Sequence, residues 1–74
     1  MKETRISDLP LAGYLCARDY PLVRVEGPNG RKLFVFTGVP ESAILDFYNG
    51  QGRVSARRLL DALRNLKGLT LQAL

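Results

Sequence analysis

The sequence predicts an α+β fold of order α-β-β-α-α, with helices covering one face of a β-hairpin. Three observations carry that expectation. Residues 56–67 place alanine and leucine at helical spacing with charged residues on the other side. Residues 22–26 and 31–36 are strand-like, the first by alternation and the second by its aromatic and β-branched content. Between them lies Gly27-Pro28-Asn29-Gly30, the chemistry of a tight turn. The 74 residues are read as one small domain. A chain of this size hides only about 60% of its unfolded surface, so its core is thin.

The first helix is expected from about Asp8 to Arg18. Ser7 suits the N-cap and Asp8 the positive end of the helix dipole. Pro10 is tolerated in a first turn, and Pro21 forces the chain out of the helix. In the hairpin, pairing Glu26 with Arg31 would set Val23 opposite Phe34 and Leu22 opposite Val35. Val23, Val25, Phe34 and Phe36 would then face the core. Leu22, Arg24, Glu26, Leu33 and Val35 would share the other face, which needs a cover or stays adhesive.

A short helix should follow from about Pro40 to Asn49, with Gly50 as the left-handed residue after its end. The clearest helix opens at Ala56, capped by Ser55, and presents Ala56, Leu59, Leu60, Leu63 and Leu66 on its apolar side. Gly68 could end it. The tail Leu69-Thr70-Leu71-Gln72-Ala73-Leu74 alternates like a strand and could add a third one to the sheet; the alternative is a helix continued past a kink.

The segments Ile6-Ser7-Asp8-Leu9, Ala12-Gly13-Tyr14-Leu15, Tyr20-Pro21-Leu22, Phe34-Val35-Phe36, Tyr48-Asn49-Gly50 and Val54-Ser55-Ala56-Arg57 together resemble DUF5659, a family of small bacterial and phage domains of unknown function. The resemblance implies no activity, ligand or catalytic residue.

Composition narrows the chemistry. With 11 basic and 7 acidic residues the net charge is +4, and there is no His, no Trp and one Cys. An internal disulfide, a Cys/His zinc site and an imidazole base are thereby excluded. The seven carboxylates form no close pair at helical or strand spacing, so neither an acid/base couple nor a metal cluster is indicated. Cys16 lies on an apolar helix side and reads as structural. Gly50-Gln51-Gly52-Arg53 precedes a helix but lacks the lysine of a phosphate loop, and reads as a connector. No enzyme, cofactor or metal is expected. No stretch is long and apolar enough to cross a bilayer, and the start lacks the apolar core of a secretory signal, so a cytoplasmic location is expected.

Two functions remain. The first is association, with a second copy or a protein partner, through Leu22, Leu33, Val35, Leu69 and Leu71. The second is nucleic-acid contact through Arg53, Arg57, Arg58 and Arg64 on the last helix. Asp61 stands inside that basic row and should pair with Arg57, Arg58 and Arg64.

Overall fold

A computed structural model describes residues 2–27 and 32–72, with side chains as far as residue 69. Its elements are β1 (Glu3–Ile6), α1 (Leu9–Ala17), β2 (Leu22–Glu26), β3 (Leu33–Thr37), α2 (Glu41–Tyr48) and α3 (Ala56–Gln72). The three strands form one antiparallel sheet in the order β1-β3-β2. The fold is α+β, but the order is β-α-β-β-α-α.

The third strand therefore comes from the N-terminal end and not from the tail. Glu3-Thr4-Arg5-Ile6 pairs with Thr37-Phe36-Val35-Phe34. Residues 69–72 instead continue α3. Gly68 costs a helix about 1 kcal/mol relative to Ala but does not break it. The expected turn at residues 28–30, and the pairing of Arg31, lie outside the described residues.

The hairpin register differs from the expected one by two residues. Glu26 lies opposite Leu33, Val25 opposite Phe34 and Arg24 opposite Val35, yet Leu22 lies opposite Phe36. Val23 is the extra residue of a β-bulge, and it is 47% exposed. The bulge turns Leu22 back to the core side, where it packs beside Val25. A single period-2 reading of residues 22–26 misplaces both Leu22 and Val23 for this reason.

Ile6, Phe34 and Phe36 line the inner face, and α1 packs on it. Leu11, Ala12, Gly13, Tyr14, Leu15 and Ala17 of α1 are all buried. A helix apolar on every side has to be covered on every side. The sheet covers one side and α3 the other. Gly13 makes the second contact close, because a Cβ there would lie 2.5 Å from Leu63 Cδ2. Leu66 of α3, 1% exposed, reaches the common core. The buried stripe of α3 includes Ala62 and Leu66, with Leu59 packed against the core; Ala56 and Leu60, expected on that side, are exposed. On its remaining flank α1 meets α2 through Tyr14 and Phe47, with ring centroids 5.4 Å apart.

The helix ends follow local rules. Asp8, not Ser7, is the N-cap of α1, and its side chain makes no capping bond. Pro10 removes one of the two amides that a cap side chain normally serves. Ser55 Oγ accepts from the Arg58 amide at 3.1 Å, as expected for the start of α3. Gly50 (φ 73°) closes α2: its amide reaches the Phe47 carbonyl, and the Gln51 amide the Asp46 carbonyl at 2.8 Å. α1 ends by the same paired bonds, but with Asp19 in the left-handed position, at φ 67°.

Candidate interaction groove and the charged sheet face

The outer face of the sheet is closed by charge. Arg5, Val35 and Arg24 stand side by side on the three strands, with Glu3 and Glu26 two residues along on the flanking strands. Arg5 Nε donates to Glu26 at 2.9 Å, and Arg24 Nε donates to the same carboxylate at 2.6 Å. Arg24 also clasps Glu3 with both terminal nitrogens, at 2.8 and 2.7 Å. A bidentate guanidinium–carboxylate pair is the strongest form of such contact. The four side chains alternate in sign and roof Val35, which has no exposed area. The Arg24 hydrogen bonds hold the Glu3 carboxyl below its ordinary pKa, and those from Arg24 and Arg5 do the same for Glu26.

The expected association surface is reshaped by this arrangement. Val35 is sealed and offers no surface, and Leu22 packs on the core. Leu33 is half-buried, Leu69 is 39% exposed, and the Leu71 side chain lies outside the described ones.

The opposite side of the molecule carries an open groove between the end of α1, the start of β2 and α3. One part, about 310 Å³, has a floor of Cys16, Ala17, Leu22, Ala62, Leu66 and Leu69. Arg58, Asp61 and Asn65 form its rim. A second part, about 390 Å³, shares Ala17 and Arg58 with the first and is bounded by Arg18, Asp19, Arg53, Val54 and Ser55. The two parts therefore adjoin across Arg58, one apolar and the other basic. Burial pushes the Cys16 thiol up, away from the thiolate that a nucleophile requires.

The four arginines of the basic helix separate into two groups. Arg57 and Arg64 both approach Asp61, at 4.0 and 3.9 Å, on the exposed side of α3. Arg58 leaves that row and binds Asp19 at 2.7 Å, an aspartate 39 residues away in the chain. Arg53 borders the basic part of the groove, and its carbonyl accepts from Arg18 Nη1 at 3.3 Å. Arg18 also lies over the Tyr14 ring, 5.9 Å from its centroid. Sequence reasoning named Arg53 and Arg58 but missed Arg18. Its position just past the first helix, and that of Arg53 just before the last, would bring them together once those two helices are packed side by side.

Among the described residues no group of His, Cys, Asp or Glu could hold a metal ion. Among them, too, no helix is long and apolar enough to cross a membrane. A family model for a domain of unknown function, DUF5659, matches residues 1–72. The chain belongs to the DUF5659 family. No curated protein and no solved structure matches it. The matched residues run from β1 through α3 and include every element that borders the groove, so the fold described above is a description of a DUF5659 domain.

Proposed function

We propose that this DUF5659 domain is a non-catalytic, cytoplasmic module that works by binding a protein partner in the groove between α1, β2 and α3. The observation that carries the reading is the apolar floor of that groove, lying open beside a basic end. An apolar depression with polar groups at its rim is the usual anatomy of a docking site. Self-association through the sheet is the weaker form, because the ion roof covers Val35 and the bulge withdraws Leu22. Nucleic-acid contact through Arg53, Arg57, Arg58 and Arg64 is weaker too: Asp61 and Asp19 are tied into that set of arginines.

The test is selection from a displayed library of random peptides, with Leu69→Glu and Arg57→Ala as paired variants. The reading expects enriched peptides that bind the original chain and Arg57→Ala, and fail on Leu69→Glu. Absence of enrichment, or binders indifferent to Leu69→Glu, would overturn it. Circular dichroism of Leu69→Glu checks that this exposed change leaves the helices intact.

A further inference from the structure

We infer that the groove takes an extended peptide segment in which an apolar side chain and a carboxylate stand about four residues apart. The inference rests on the protein-binding reading above and adds the partner's chemistry. The apolar part of the floor centres on Leu66 and Leu69, and the basic end on Arg58 and Arg53. Eight residues of helix separate Arg58 from Leu66, a rise of about 12 Å at 1.5 Å per residue. An extended peptide covers that distance in about four residues at roughly 3.3 Å each.

Charge decides what lies at the second position. Three arginines, Arg18, Arg53 and Arg58, border the basic part against one carboxylate, Asp19. Two of the three are already held in place. Asp19 fixes Arg58, and the Arg53 carbonyl together with the Tyr14 ring fixes Arg18. Cations positioned before the partner arrives lose less side-chain entropy on binding, and an excess of one sign selects the opposite sign in the partner. The apolar floor favours a peptide over a nucleic acid. No aromatic ring lines either part of the groove, so bases would have nothing to stack on.

The experiment is a chemical-shift titration of the full ¹⁵N-labelled chain with capped synthetic peptides. The probe carries a leucine followed, four residues on, by a pair of aspartates. One control replaces the aspartates by lysines, and another replaces the leucine by serine. The expected result is joint movement of the amides of Ala62, Leu66 and Leu69 with those of Arg53, Val54 and Ser55. Affinity should fall at least about tenfold with either control and should weaken as salt rises. In the Arg18→Glu/Arg53→Glu variant the lysine peptide should become the tighter ligand; both positions are exposed, so the fold should survive. Equal affinity for the aspartate and lysine peptides overturns the inference while leaving the protein-binding reading to its own selection test. So does failure of every peptide to move the groove amides. A single-stranded oligonucleotide that moves the same amides more tightly than the aspartate peptide also overturns it.

Discussion

The outer face of the sheet and the basic end of the groove use the same residue types to opposite ends. On the sheet, Arg5, Arg24, Glu3 and Glu26 alternate, and each guanidinium finds one carboxylate on its own strand and one across β3 on the other edge strand. The charges cancel, and the quartet serves as a lid over Val35. At the basic end of the groove, Arg18, Arg53 and Arg58 stand with one carboxylate among the described lining residues, Asp19, which binds Arg58. Two of those guanidiniums are tethered by a carbonyl and by that one aspartate, and the local charge stays positive. The number of arginines says little by itself. What matters is whether the fold delivers a carboxylate to each, and strand pairing does so where the junction of α1 with α3 does not.

This contrast can be broken at several points. The largest effect should come from the core that both regions share. Phe36 has no exposed area and lies on the central strand, so Phe36→Ala should destabilise the chain by about 3–5 kcal/mol, measured by urea unfolding. For a domain of this size that approaches the whole stability. Next comes Gly52, beside the basic end of the groove. A Cβ there would lie 2.6 Å from the Tyr14 hydroxyl oxygen and 2.7 Å from Cζ, both on a rigid ring. Gly52→Ala should cost about 1–3 kcal/mol and shift the Arg53 amide, seen by unfolding and by NMR.

Acid should separate the two regions further. Glu3 and Glu26 have carboxyl pKa values lowered by their arginine partners. A group depressed in the folded state stabilises the fold above its unfolded pKa, near 4.5 here, and ceases to do so as pH falls through its folded value. Stability should therefore decline from about pH 4.5 downward. The Glu3→Gln/Glu26→Gln variant should show a flatter acid limb in unfolding midpoints taken across pH. A limb as steep as the original chain's would show that the roof does not contribute. The smallest effect should be at Arg57 and Arg64, 89% and 80% exposed, where substitution by Ala should change stability by less than about 0.5 kcal/mol.

The parts of this fold that are governed by neighbours in the chain are legible in the sequence. Ser55 caps α3 and Gly50 closes α2, because a hydroxyl before a helix and a glycine after one act within a single turn. Both hairpin strands lie where alternation and β-branching place them. Apart from the N-cap of α1, which falls on Asp8 and not Ser7, the misses are long-range. Glu3-Thr4-Arg5-Ile6 has β-branched Thr4 and Ile6 but is short and half charged; Arg5 and Glu3 make sense as strand residues only beside Val35 and within reach of Arg24 and Glu26 across β3. The bulge at Val23 exchanges the faces of Val23 and Leu22, a choice made by the core beneath Leu22. The tail alternates like a strand, yet it follows Leu66 along the helix once that residue is anchored. At the groove, Arg58 was expected to join Asp61 one turn away and instead meets Asp19 from the end of another helix. Proximity in sequence named two of the basic residues; only packing could gather them with Arg18 around an apolar floor.

The central claim is that the arginines of the sheet are matched by carboxylates while Arg18 and Arg53 of the groove, among the described residues, are not. Arginine Nε–Hε resonances test this most directly, because Arg5 and Arg24 both direct Nε into the Glu26 carboxylate. With the leucine–aspartate peptide added stepwise, the Nε–Hε signals of Arg18 and Arg53 should move and slow their exchange with water. Those of Arg5 and Arg24 should be slowly exchanging from the start and stay where they are. Sheet arginines that exchange as fast as Arg53, or that move with it on adding peptide, would contradict the account.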